Sequence, residues 1–147
     1  MANVSDYLES GLLNYLFRAN TNNFTRPLEI AVALCGNTPQ DSQDGNTIPE
    51  LPNANGYARS NLGAPTNSIF GEIIQSAGGS GYIRNSTTIS FGPATGNWGW
   101  VSGIAITNSG VYGAGRVLYH GILPTPREIL VNDTFSFSAG NLEIYLA

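Results

Sequence analysis

The chain has 147 residues, 41% of them apolar and only 11% charged, with a formal net charge of −4. That length supports one domain with a real core, burying roughly two thirds of its unfolded surface, and the negative charge argues against a phosphate backbone, which needs clustered cations. All six basic residues are arginine (Arg18, Arg26, Arg59, Arg84, Arg116, Arg127); interfaces favour Arg, Tyr and Trp over Lys and Glu, so a surface partly covered by neighbours fits, although skewed genomic composition gives the same bias.

Cys35 is the single cysteine, which rules out an intrachain disulfide and cannot make a zinc site. Residues 1–6 lack the basic and apolar regions of a signal peptide, and no run approaches about 18 apolar residues. No membrane contact is expected.

Val4, Leu8, Leu12, Tyr15 and Leu16 recur at steps of four and three, which predicts an amphipathic helix over residues 5–18. Ser5 is placed to cap it, and Asp6 and Glu9 sit in the first turn, where the helix dipole favours negative charge. Residues 20–23 (Asn-Thr-Asn-Asn) end it. Leu28, Ile30, Val32 and Leu34 then alternate with Glu29, Ala31, Ala33 and Cys35, the period of a strand with a small-residue second face, hence a central one covered on both sides. Residues 36–56 carry Pro39, Pro49 and Pro52 with no periodicity, and loops of that length tend to be functional or mobile. This loop reads as an arm that touches a neighbour, and excising residues 39–52 is expected to leave the fold intact.

Further strands are predicted over residues 57–62, 68–75, 87–91, 100–106, 116–122, 129–131, 134–138 and 142–146, with a flexible run at 77–81 and a break at Pro124-Thr125-Pro126. About seven or eight strands punctuated by turns argue for an antiparallel β-sandwich or barrel. The expected domain spans residues 1–147: the helix in 1–20, and a sandwich over 28–147 with the helix against one open end or edge.

Candidates for chemistry are few. His120 is the only histidine, in an alternating strand that makes it either half-buried and hydrogen-bonded or exposed, and no Gly-x-Ser-x-Gly nucleophile turn is present. Asp41, Asp44 and Glu50 fail the alternate-position pattern of a calcium loop, and Gly78-Gly79-Ser80-Gly81 lacks the Lys-Ser/Thr of a phosphate loop. No catalytic residue, metal or cofactor is expected. Trp98 and Trp100 admit two readings, core filling or an exposed platform for sugars or partners.

Seven motifs in order carry a resemblance. They are the helix of residues 7–17, the strand Ile30-Ala31-Val32-Ala33-Leu34, Gly56-Tyr57-Ala58-Arg59 and Ile89-Ser90-Phe91-Gly92-Pro93-Ala94. Trp98-Gly99-Trp100-Val101 with Gly103-Ile104-Ala105-Ile106, Leu118-Tyr119-His120-Gly121, and Asn132-Asp133 with Ser138-Ala139-Gly140-Asn141-Leu142-Glu143-Ile144 follow. Their order resembles a family of small tailed-bacteriophage proteins usually labelled tail-fibre proteins and sometimes virion or decoration proteins; residues 67–85 depart from it by their length. The resemblance implies a non-enzymatic virion structural protein, made in the host bacterial cytoplasm and without a cofactor.

A receptor-reaching fibre needs a long shaft, whereas one compact module of this size is about 35–40 Å across, so a capsid cement or decoration protein is the leading expectation. A tail-fibre or baseplate component contacting a host receptor or neighbouring subunits is the second, and a carbohydrate-binding module for a host glycan the third. The expected partners are the major capsid protein or tail components and further copies of the chain. Leu12, Tyr15, Arg26, Asp41, Asp44, Arg84, Trp98 and Arg127 are the expected interface residues.

Overall fold

The computed structural model describes residues 3–19, 24–75 and 81–146. In chain order it contains β1 (Asn3–Val4), α1 (Asp6–Phe17), β2 (Ile30–Cys35), β3 (Ser60–Gly63), β4 (Ile74–Gln75), β5 (Gly81–Arg84), β6 (Ile89–Phe91), β7 (Gly99–Thr107), β8 (Val117–Ile129), β9 (Phe135–Phe137) and β10 (Glu143–Tyr145). All pairings are antiparallel. They form a five-stranded sheet in the order β1-β8-β7-β2-β3, a three-stranded sheet β10-β5-β4 and the pair β6-β9. The chain is mainly β with one N-terminal helix among the described residues, and no described helix is long and apolar enough to cross a membrane.

The period of two in β2 sets the layering. Val32 and Leu34 join Ile104, Ile106 and Tyr119 on one face of the large sheet, where Ile89, Phe91, Phe135 and Leu142 cover them as the main core. Ala33 and Cys35 face the other way with Ala105 and Val117, under Ile48 of the 36–56 loop. Small side chains on this second face let the loop approach closely, and residues 31–35 are fully buried, as a central strand requires.

At the sheet edge α1 lies against β8. Ser5 accepts a hydrogen bond from Leu8 N at 3.2 Å as the N-cap, while its Oγ donates to the Val117 carbonyl, so one hydroxyl both starts the helix and fastens it to the sheet. The Phe24 ring occupies the space a Cβ on Gly11 would need, which makes that glycine the deepest point of the helix. Leu8 and Leu12 are only half-buried, and Tyr15 and Leu16, expected on the inward stripe, are exposed.

Several expected boundaries shift. The β8 strand runs through Pro124 and Pro126, because residues 123–126 bulge out between Ile122, opposite Gly103, and Arg127, opposite Val101. A bulge asks nothing of the missing proline N–H groups. The strand expected over 57–62 starts only at Ser60, since Tyr57 and Arg59 turn their side chains into the core. Of residues 68–75 only Ile74 and Gln75 form a strand, with Phe70 bridging to Asn85. Residues 130–131 are no strand: they enter the turn at Asn132, whose φ is 71°, and Asp133. Gly81 opens β5; the rest of the 77–81 run and the helix-ending residues 20–23 lie outside the described residues.

The loop 36–56 is a wall of the fold and not an arm. Its Glu50 forms a bridge with Cys35, Leu51 N donates to the Leu34 carbonyl at 3.0 Å, and Gly45 N donates to the Gly115 carbonyl at 2.9 Å. At Gly45 a Cβ would fall 1.9 Å from the Ala114 carbonyl oxygen, so only glycine fits. The loop is pinned from below by Arg59, whose side chain has no exposed surface. All five guanidinium protons are used: Nε and Nη2 hold Glu50 Oε1 and Oε2 at 2.9 and 2.8 Å, Nη2 also donates to the Gly45 carbonyl at 2.9 Å, and Nη1 donates to the Ser109 and Ala114 carbonyls at 3.0 and 2.8 Å. Tyr57 adds a third contact to Glu50 at 2.9 Å while accepting from Leu34 N at 3.0 Å.

Removing one member of such a pair leaves a buried charge alone, at a cost of about 3–5 kcal/mol. Arg59→Met is therefore expected to lower the unfolding free energy by that amount in urea titration. Excision of residues 39–52, which takes away Ile48, Glu50 and Leu51, is expected to yield no cooperative transition; a folded deletion protein would contradict the wall. At a smaller scale, Glu29 accepts from Gly110 N at 2.7 Å and Asn61 Nδ2 at 2.8 Å, and these bonds hold its carboxyl below the ordinary value of 4.5. A depressed folded pKa gives stability that is present above the ordinary value and fades as pH falls through the folded one. Glu29→Gln is expected to lower the melting temperature at neutral pH and to match the wild type once the carboxyl is protonated in acid.

Candidate functional site

The histidine, the cysteine and the acids of the 36–56 loop are engaged by the fold itself. His120 sits in β8 with its side chain on the second face of the sheet and is 2% exposed. Its Nε2 is 2.7 Å from Asp41 Oδ1, and its Nδ1 is buried without a hydrogen-bond partner. Asp41 meanwhile accepts from Asp6 N at 3.0 Å through its carbonyl, so the pair ties the 36–56 loop to β8 and to the start of α1. A carboxylate and an imidazole make a base only when a nucleophile or a water path reaches the ring; the pair lines an open cleft with Asn3, Thr38, Gln40 and Ile122, where the ring itself shows almost no surface. Burial first, and then the nearby Glu50 charge, push the Cys35 thiol up to about 12, which keeps it from being a thiolate nucleophile. Among the described residues no group of three or more His, Cys, Asp or Glu could hold a metal ion.

The expected interface residues fall into two classes. Tyr15, Arg26, Asp41 and Arg127 are exposed, and Leu12, Asp44 and Arg84 are half-buried. Of these, Arg26 donates to the Pro65 carbonyl, Arg84 lies 3.2 Å from Glu143 Oε1 and donates to Tyr82 Oη at 2.7 Å, and Arg127 stands 5.7 Å from the Phe135 ring centroid. Asp44 takes the backbone N–H groups of Asn46 and Thr47 at 2.9 and 3.1 Å, which shapes the turn it begins. Asp41 and Asp44 line one shallow cavity with Tyr7 and Arg116, and Arg26 lines another beside Pro65 and Phe70.

Trp98 is the correction. Expected at the interface, it is 6% exposed, packs edge-on against Tyr57 with ring centroids 5.5 Å apart, and donates from its indole nitrogen to the Asn55 carbonyl at 2.8 Å. Trp100 is the exposed one, at 59%, with Glu128 as its cross-strand partner. Gly99 separates them: its φ of +85° turns the chain at the start of β7, so two tryptophans two residues apart do not share a face.

What the sequence reading missed is a second apolar stripe on α1. Leu13 and Phe17 join Leu16, which the expected inward stripe had claimed, and all three are more than half exposed. Leu28, Ile73, Val111, Ile122, Val131 and Leu146 add further exposed apolar side chains elsewhere.

The sequence matches, over residues 3–145, a family model described as Podophage GP4 fiber I protein gp80. The chain belongs to this podophage fibre-protein family. No curated protein matches it. Within the fibre-family chain the motif Gly56-Tyr57-Ala58-Arg59 acquires a structural meaning, since Tyr57 and Arg59 are the two side chains that grip Glu50. The Trp98-Gly99-Trp100 motif likewise delivers one indole to the core and one to the surface.

Replacement of the two tryptophans separates these roles. Trp98→Ala is expected to cost about 3–5 kcal/mol in unfolding free energy, as aromatic deletions in cores do, and Trp100→Ala less than about 0.5 kcal/mol, in line with surface substitutions. In acrylamide quenching the Trp100→Ala protein, left with the buried indole alone, is expected to be the less quenched of the two.

Proposed function

We propose that the chain is a non-enzymatic structural subunit of a podophage fibre, held to neighbouring tail components by its exposed apolar surface. The observation that carries this reading is the family match across residues 3–145, nearly the whole chain. Physical support comes from the division of the molecule: the Arg59–Glu50 ion pair is used up inside, while Leu, Ile, Phe and Trp side chains remain on the outside. A module about 35–40 Å across cannot itself form a shaft, so the role is that of one unit within an assembly, at its base, joint or tip. Fibre membership favours this over a capsid cement protein, although the adhesive surface suits either.

Contact with a host glycan is a second reading, favoured by Trp100, an exposed indole with the Glu128 carboxylate across the ladder. Aromatic faces stack on apolar faces of ligands, and a carboxylate beside one can accept hydroxyl hydrogen bonds.

Cryo-electron microscopy of purified particles, with the chain located by a tag at its C-terminus, tests the proposal. Density at the tail or its fibres is expected. Density on the outer capsid lattice would restore the cement reading, and absence from the particle would overturn both.

A further inference from the structure

The outward side of α1 has a composition that points to its occupant. At about 100° per residue, Asp6, Glu9, Ser10, Leu13, Leu16 and Phe17 fall on one side of the helix, opposite Gly11, and all six are exposed. The stripe changes character along its length: Asp6 and Glu9 occupy the first turn, Leu13, Leu16 and Phe17 the last two, and the last turn has no basic residue. Leu13 and Leu16 are each 58% exposed and Phe17 is 77% exposed. A helix apolar on its inner side and again on its outer side is the pattern of one covered on both.

We infer that this stripe is a self-association surface, occupied by the same stripe on a second copy of the chain, with the two helices antiparallel across a two-fold axis near Leu16. The inference deepens the reading of the chain as a fibre subunit by naming one of its partners. Charge selects the orientation. A parallel pair would set Asp6 and Glu9 against Asp6 and Glu9, whereas an antiparallel pair crossing at Leu16 places the acidic turns at opposite ends, roughly 20–30 Å apart and beyond the Debye length of about 8 Å. Leu13, Leu16 and Phe17 of the two copies then meet in the middle.

Area is sufficient for such a pair. The three apolar side chains expose roughly 400 Å² per copy at the usual size of leucine and phenylalanine, and with the flanking polar residues two copies bury about 1,000 Å², the lower bound for a specific interface. An isologous contact of this kind closes after two subunits. The same stripe suits a membrane surface poorly, because it carries carboxylates where such helices carry Lys and Arg.

Sedimentation velocity of the full-length protein, from 1 to about 100 μM, reads the result. A dimer is expected in the wild type, and Leu13→Glu and Leu16→Glu are each expected to weaken it at least tenfold, with thermal unfolding little changed because both positions are exposed. As a second reading that does not depend on those variants, Leu16→Cys is expected to give a disulfide-linked dimer under oxidation; Cys35 is buried and gives none in the wild type. A wild-type monomer throughout this range, a trimer, or a dimer indifferent to both glutamates would overturn the inference. Particle location is measured separately, so loss of the fibre reading and loss of the dimer are distinguishable.

Discussion

The guanidinium of Arg59 is the constraint on which the other features of this fold depend. It lies beneath the 36–56 loop with its five donors matched to a carboxylate and three backbone carbonyls, and a charge can be kept in such a place only when every donor has a partner. Three segments of chain meet there: the loop through Gly45 and Glu50, the 108–116 turn through Ser109 and Ala114, and residues 57–59 themselves. Tyr57 extends the arrangement to β2 by accepting from Leu34 N. Burial, followed by the Glu50 charge, pushes the Tyr57 hydroxyl well above its ordinary range, so it stays a neutral donor to that carboxylate. His120 and Asp41 make a second, lighter fastening at the other end of the same loop.

Function follows from this economy of polar groups. The buried ion pair, the almost fully buried imidazole of His120 and the high-pKa thiol of Cys35 are put to structural use. Large apolar side chains also face outward: Leu13, Leu16 and Phe17 of α1, Trp100, and Ile and Val side chains elsewhere. A body held together by internal polar contacts, with apolar side chains left outside, supports the subunit role proposed above for this member of a podophage fibre-protein family.

Local rules made half of this legible in advance. Ser5 as a cap, the helix after it, the alternation of β2 and the turn at Asn132-Asp133 depend on neighbours in sequence, and the structure has all four. The 36–56 loop was illegible for the opposite reason: it has no period, and its conformation is dictated by Arg59 from outside the segment. The tryptophans left two readings open and each takes one of them, because one positive φ at Gly99 resets the alternation that a strand pattern assumes. Pro124 and Pro126 announced a break, and the ladder does break there, yet the bulge lets β8 resume. Composition suggested arginines at interfaces, but it could not separate Arg59, which builds the core, from Arg26 and Arg127, which lie outside.

Hydrogen–deuterium exchange resolved along the chain tests the central claim, that a buried guanidinium makes the 36–56 loop part of the body. Amides whose partners lie across the loop, those of Gly36, Gly45 and Leu51, are predicted to exchange as slowly as the amides of β2 and β7, since all open only with global unfolding. Exchange of those three amides orders of magnitude faster than the sheet, with β2 and β7 still protected, would show a loop that opens by itself and would contradict the account.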